Sequence, residues 1–430
     1  MATWSRYNFL VPQADGSALL YNGRIGELIR LDADRVRECN GQQDLDDDFF
    51  SFLLQRGFLV SDDLDEVELV AKQHEMARAD GSALSVTIEL TEACNFRCVY
   101  CYQGHVKEHL EGDIEQRILR YLDRKLAELK HLHVNWFGGE PLTRLPTLHR
   151  LSAELRARAE AHGCRLTQFV TTNGYLITAA VARELKSLGI SNVQITLDGA
   201  GNFHDRSRPL ASGRGTYQRV LSACRHVVDQ GIELMIRINL NRINADSVDE
   251  LLSDLVRRGI TPDKAIVHIV RAIDHGNLSE NASSICFKNE EFAQKWGEVL
   301  GHVAAHGFGT PTIAPIAYNC PFDLQQAVMI GRDGFLRHCS STDHEIARLD
   351  ADGQEVGRNP TYDRVKNRRP TDDPHCRDCR YLPLCMGGCS YLRERGQEAC
   401  NPERYILPRL VELYASQALP LSQEKGDRYV

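Results

Sequence analysis

The chain opens with short apolar runs separated by turn residues. Tyr7–Val11 and Ala18–Tyr21 flank Asp15-Gly16, and Asn22-Gly23 precedes Glu27–Leu31, a spacing that predicts a small β-meander. Helices are expected at about Asp32–Cys39 and Asp46–Arg56, and Gly57–Val60 reads as a returning strand. The acidic stretch Ser61–Glu68 leads into a helix running to about Ala79. From Ser85 the pattern changes to apolar strands alternating with helix-period segments. Strands are predicted at Ser85–Leu90, His133–Trp136, Gln168–Thr172, Asn192–Leu197, Glu233–Leu240 and Ala265–Val270, with helices such as Ile114–Leu129 and Ala179–Leu188 between them. Repeated βα units imply a parallel sheet with right-handed crossovers. Six of them make an α/β fold of the partial (β/α)6 TIM-barrel type, whose chemistry gathers at the C-terminal ends of the strands. Beyond about Ala304 the periodicity fades while Cys, Gly and Pro rise, so this region is expected to take its order from metal sites more than from an apolar core. One helix, Arg409–Gln417, is expected in the tail.

Composition narrows the class. A chain of 430 residues is long for one core, so several domains are expected. The boundaries read as 1–62 for a small winged-helix-like module, 63–84 for a linking helix, 85–305 for the barrel, 306–400 for a cysteine-rich domain and 401–430 for a helix and tail. A net charge of −8 with no long Lys/Arg block argues against nucleic acid and membrane as partners. No apolar stretch approaches the roughly 20 residues of a bilayer span. The start, Met-Ala-Thr-Trp-Ser-Arg-Tyr, lacks the apolar region of a secretory signal, so a cytoplasmic location is expected. In a reducing compartment, 14 cysteines argue for metal ligation over disulfides.

Two cysteine groups carry the chemistry. Cys94-Asn-Phe-Arg-Cys98-Val-Tyr-Cys101 sits just after the first barrel strand. Three thiolates on one tight loop can ligate three corners of a [4Fe–4S] cube and leave one iron open to bind a small molecule. The second group is Cys320, Gly334, Cys339, then Cys376, Cys379, Cys385 and Cys389 at C-x2-C-x5-C-x3-C spacing, then Cys400. A zinc ribbon also uses CxxC pairs and is the alternative reading of the latter. Cys39, Cys164 and Cys224 read as ordinary buried cysteines.

Residues 85–270 resemble the radical S-adenosylmethionine (SAM) enzymes, which carry CxxxCxxC with an aromatic residue, here Tyr100, before the third cysteine. The resemblance implies that Cys94, Cys98 and Cys101 hold a cluster whose open iron chelates the methionine end of SAM. Electron transfer from a donor such as flavodoxin or ferredoxin then yields a 5′-deoxyadenosyl radical. Gly138-Gly139-Glu140-Pro141 matches the family's motif for the SAM amino group. Glycines let backbone approach closely, and a carbonyl and a carboxylate complement an ammonium. Asn173 in Thr-Asn-Gly ends the third strand, and Thr196 and Asp198 in Thr-Leu-Asp-Gly end the fourth, where the family has residues near the ribose; Asn239, on the fifth strand, is a candidate for the ribose or the substrate. Each of these short turns, taken alone, is also an ordinary turn or cap.

The seven C-terminal cysteines resemble the SPASM extension, which holds two auxiliary [4Fe–4S] clusters. The resemblance assigns Cys320, Cys339 and Cys389 to the first and Cys376, Cys379, Cys385 and Cys400 to the second. Sulfatase maturases carry a further cysteine where this chain has Ala314, so the first auxiliary cluster has either an open iron or a distant ligand such as Cys286. SPASM enzymes act mostly on peptides. The N-terminal module resembles the PQQ-type precursor-recognition element, which takes a leader peptide as an added strand; a simple shield for one barrel end is the alternative. His204-Asp205-Arg206-Ser207-Arg208 followed by Gly213-Arg214-Gly215-Thr216-Tyr217 recurs in peptide- and sulfatase-modifying members, and otherwise reads as a basic loop with Thr216 as a helix cap. The expectation is a peptide maturase that installs a C–C, C–S or C–O cross-link on a precursor with a leader sequence. A formylglycine-forming enzyme, a peptide epimerase and a non-enzymatic scaffold are the alternatives. Sulfatase maturases place Asp after the cysteine matching Cys339, where this chain has Ser340-Ser341.

Overall fold

The computed structural model describes residues 1–41, 44–275, 282–341, 345–360, 363 and 366–418. It divides into two compact units, one comprising Met1–Ala79, Thr310–Asp323 and the chain from Asn367 onward, the other Asp80–Gly309 and Leu324–Lys366.

In the first unit β1 (Ala2–Trp4) pairs antiparallel with β5 (Leu59–Ser61), and β2 (Asn8–Pro12), β3 (Ala18–Asn22) and β4 (Leu28–Leu31) form the expected meander. The buried Asn22 side chain explains the turn at Asn22-Gly23. Its Oδ1 accepts from the backbone N–H of Arg24 (2.9 Å) and Ile25 (3.2 Å), and its Nδ2 donates to Ser5 Oγ (2.9 Å) and Asn8 Oδ1 (2.7 Å). Helices Ala33–Cys39 and Asp47–Gln55 start where Asp32 and Asp46 accept from the N–H groups of Arg35 and Phe49. Phe49 and Leu53, one turn apart, pack on Leu20, Ile29, Leu31 and Phe58. A second cluster joins Tyr7, Val67 and Val70 to Cys376, Leu382 and Met386, so the N-terminal module and the C-terminal cysteine segment share one unit. The tail helix, Glu403–Ala418, is broken at Ile406, two residues before Pro408.

The second unit contains the barrel strands: β6 (Ala83–Glu89), β7 (His131–Phe137), β8 (Arg165–Thr172), β9 (Ile190–Thr196), β10 (Glu233–Leu240) and β11 (Ala265–Arg271), all parallel and in sequence order. Leu132, Val134 and Trp136 are fully buried, whereas His131, His133, Asn135 and Phe137, of opposite parity, are half-buried. The region past Ala304 contributes more order than expected. β12 (Ala327–Ile330) adds in parallel to β6, and β13 (Phe335–Arg337), β14 (Glu345–Leu349) and β15 (Glu355–Val356) continue the sheet antiparallel to ten strands. No helix among the described residues is long and apolar enough to cross a membrane.

Phe49 is fully buried, so Phe49→Ala should destabilise the first unit by about 3–5 kcal/mol. The check is a lowered urea midpoint, with exchange protection of β6–β11 retained.

Candidate active site

A cavity of ≈ 310 Å³ lies at the C-terminal ends of the barrel strands, and Cys94, Cys98 and Cys101 all line it. Backbone contacts hold the loop that carries them. Gly139 N–H donates to Thr91 O (2.8 Å) and Glu140 N–H to Ala93 O (3.0 Å). A Cβ on Gly138 would overlap the Thr91 carbonyl oxygen, and one on Gly139 would overlap those of Glu92 and Ala93; Gly138 also has φ +149°. The two glycines are therefore required by the approach of two backbones. On the other side Arg97 N–H bonds Pro209 O (2.9 Å), Val99 N–H bonds Ser207 O (3.0 Å), and Ala211 N–H bonds Asn95 O (2.8 Å).

The His204–Thr216 motifs account for that second anchor. Asp205 Oδ1 accepts from the N–H of Thr216 (2.6 Å) and Tyr217 (2.8 Å), and Thr216 Oγ1 donates to Arg208 O (2.8 Å) while lying 3.1 Å from His204 Nε2. Gly215 is needed because a Cβ there would collide with the Asp205 carboxylate. Asp205, not Thr216, caps the helix Tyr217–Asp229, whose N-cap Thr216 makes no side-chain cap bond. These motifs form a clamp that presents Ser207–Ala211 to the cysteine loop.

Burial pushes the Cys94 and Cys98 thiols up to about 11 and raises Cys101 as well, while Arg208 nearby pulls the other way. The loop thus holds neutral thiols until a cation compensates them. Among the described residues no three His, Cys, Asp or Glu side chains converge as ligands of a single ion. Three thiols around one cavity fit a cubane, which takes one thiolate per iron.

Tyr100, Gly138, Gly139, Asn173, Thr196 and Asn239 line the same cavity. Glu140, Pro141 and Asp198 do not. Glu140 is completely buried; its carboxylate accepts from Leu142 N (3.0 Å), Thr172 Oγ1 (2.7 Å) and Asn173 N (2.7 Å), tying the ends of β7 and β8 together. Its carboxylate is thus bonded by protein donors. Pro141 begins the short helix behind the wall. Asp198, also wholly buried, accepts from Asn239 N (2.7 Å) and from the Tyr100 hydroxyl, with Arg208 Nη1 3.7 Å away. Tyr100 in turn accepts from Arg208 (2.5 Å) and Asn239 Nδ2 (3.0 Å), so Asp198 addresses the cavity through Tyr100 and Asn239. Thr171, Gln194, Arg237 and Arg271 also line it and were missed. The signal was available, since inward-facing residues at strand ends are the expected lining of a barrel site.

In the first unit Cys376, Cys379, Cys385 and Cys400 line one small apolar cavity of ≈ 30 Å³. Met386, Gly387 and Gly388 all have positive φ, which turns the chain sharply between Cys385 and Cys389. Arg393 and Arg404 donate to Cys376 Sγ (3.4 Å) and Cys400 Sγ (3.2 Å), as suits sulfurs that become thiolates. Cys320 and Cys389 belong to the first unit, Cys339 and Cys286 to the second. Ser340 and Ser341, after Cys339, line the barrel cavity.

The structure is a parallel partial barrel with a three-thiol loop at its strand ends. Residues 88–255 match the Radical SAM superfamily, a family that implies SAM and a [4Fe–4S] cluster. It is 28% identical over 187 residues to the Fe-coproporphyrin III synthase of Methanosarcina barkeri, covering only 44% of each chain. Identity to the serine-type anaerobic sulfatase-maturating enzyme of Klebsiella aerogenes is 28% over 323 residues, 69% of this chain and 77% of that one. Identity to the mycofactocin maturase MftC of Mycolicibacterium smegmatis is 25% over 341 residues, 71% and 78%. The fold resembles Streptococcus suis SuiB bound to precursor peptide SuiA, with TM-score 0.54 and 14% identity over 94% of this chain and 99% of that one.

Gly139→Ala should force the Thr91–Ala93 backbone away from β7. The expected result is a folded chain whose β6–β11 exchange protection survives while iron retention by the cysteine loop falls. Retention equal to the parent protein's would contradict the packing account.

Proposed function

We propose that this protein matures a ribosomally made peptide by radical SAM chemistry. The observation that carries the reading is the convergence of Cys94, Cys98, Cys101 and the Gly138-Gly139 pair on one cavity at the strand ends. With cluster and SAM bound, the site supplies a 5′-deoxyadenosyl radical for hydrogen abstraction. The chain's own residues hold and orient: Gly138 and Gly139 offer backbone at the wall, Asn173 and Thr196 add polar groups, and the Tyr100–Asp198–Arg208–Asn239 network fixes the floor. Relatives that include MftC, named as a maturase, support a peptide substrate, as does the N-terminal meander, whose outer strands β2 and β4 each offer an edge for an added leader strand. The four-cysteine cavity supports an auxiliary cluster at Cys376, Cys379, Cys385 and Cys400, suited to accept the surplus electron. A flavodoxin or ferredoxin would supply the reducing electron.

Formylglycine formation is the second reading, favoured by the 28% identity to the Klebsiella maturase. Against it, Ser340 and Ser341 line the cavity where those enzymes are expected to place an Asp. A cross-link such as C–C, C–S or C–O removes two hydrogens from the peptide. An epimerisation leaves the mass unchanged and takes up deuterium.

Two measurements test the reading. Reduced, iron-loaded protein should release 5′-deoxyadenosine from SAM, and Cys98→Ala should abolish it; persistence of release in that variant sinks the assignment. Cys379→Ala should retain SAM cleavage without peptide but lose peptide turnover, read by mass spectrometry of a co-expressed precursor. A fully active Cys379→Ala protein would remove the C-terminal cluster from the mechanism.

A further inference from the structure

We propose that Arg332 is a positioning residue that closes the base of the cysteine loop. Arg332 stands in the hairpin between β12 and β13, more than two hundred residues along the chain from the loop it meets. Its guanidinium touches three carboxylates: Glu89 Oε2 at 3.1 Å, Glu92 Oε2 at 2.6 Å and Glu108 Oε2 at 3.0 Å. Its backbone N–H also donates to Glu89 Oε2 at 3.3 Å. Glu89 ends β6 and Glu92 follows it as the chain enters the loop, whereas Glu108 lies where the chain leaves. Glu92 makes a second bond across the base, its Oε1 accepting from Gly104 N–H at 2.8 Å. Glu92 N–H also donates to Glu108 O at 3.3 Å, and Thr91 faces His109 as an antiparallel bridge. One cation therefore holds entry and exit together, with Cys94, Cys98 and Cys101 in the span between.

Charge makes the guanidinium necessary. Glu89 is 6% exposed and Glu92 is itself shielded, so two carboxylates sit side by side in a poorly solvated place, with the exposed Glu108 at its solvent edge. Without Arg332 the shielded pair repel, and the relief open to Glu92 is to turn out into the solvent that Glu108 already faces, opening the base of the loop. Lysine keeps the charge but cannot present a planar fork to several carboxylates. The same hairpin leads into Cys339, Ser340 and Ser341, and both serines line the cavity that Tyr102 also lines, so one segment meets the loop at its base and reaches the cavity beyond it.

The inference rests on the radical SAM reading for its functional consequence, and on the loop geometry alone for its structural one. Arg332→Gln, Arg332→Lys and, as a second route to the same bond, Glu92→Gln are compared with the parent protein as isolated anaerobically. Amide exchange over residues 91–108 should quicken at least tenfold in Arg332→Gln while β8–β10 keep their protection. The half-saturating SAM concentration for 5′-deoxyadenosine release should rise at least tenfold, with Arg332→Lys intermediate and Glu92→Gln in the same direction. Unchanged exchange over 91–108, or protection lost evenly across the second unit, overturns the proposal. So does an unaltered SAM dependence in a parent protein that cleaves SAM. If the loaded parent makes no 5′-deoxyadenosine, the radical SAM reading falls, and the exchange result still decides the role of Arg332.

Discussion

Two backbones must touch for this site to exist. The turn after β7 runs against Thr91–Ala93 so closely that neither Gly138 nor Gly139 can carry a side chain, and the hydrogen bonds from Gly139 and Glu140 set the start of the cysteine loop. Glu140 secures that turn from behind through Leu142, Thr172 and Asn173. Ser207–Ala211 secures the far side of the loop and is itself held by the Asp205–Thr216 clamp. The turn after β7 and the segment Ser207–Ala211 hold the loop through main-chain contact, and the Asn173 side chain adds a bond to Asn95 Oδ1.

Charge is distributed to match. The two carboxylates nearest the site, Glu140 and Asp198, are fully buried and satisfied by protein donors, while Arg208 and Arg237 lie on the cavity wall. Burial disfavours free thiolates at Cys94 and Cys98, and Arg208 partly offsets it. A site of this kind favours a cluster that supplies its own positive charge over a bare nucleophilic cysteine.

Much of this was legible in the sequence. The six barrel strands stand out because alternation and β-branched residues mark them, and their observed limits lie within a few residues of those expected. β12–β15 were not legible, because they are two to five residues long and join the sheet only through the pairing of β12 with β6, far away in sequence. The site motifs were legible as loops at strand ends, but the direction of each side chain was not. Glu140 and Asp198 differ from their neighbours only in which way the backbone turns them, something no spacing encodes. Arg208 lay inside a motif read for its pattern, and its bond to Tyr100 appears only when the strands are assembled. Arg332 carries no local signal at all.

The central claim is that three thiols, held by backbone contacts, leave one iron position free for SAM. The most direct measurement is the EPR spectrum of anaerobically isolated, reduced protein before and after SAM addition, with iron, zinc and acid-labile sulfide determined on the same sample. The account predicts matched iron and sulfide, little zinc, and a cluster signal that SAM alters and Cys98→Ala removes. Zinc without sulfide, or a cluster signal indifferent to SAM, would contradict it.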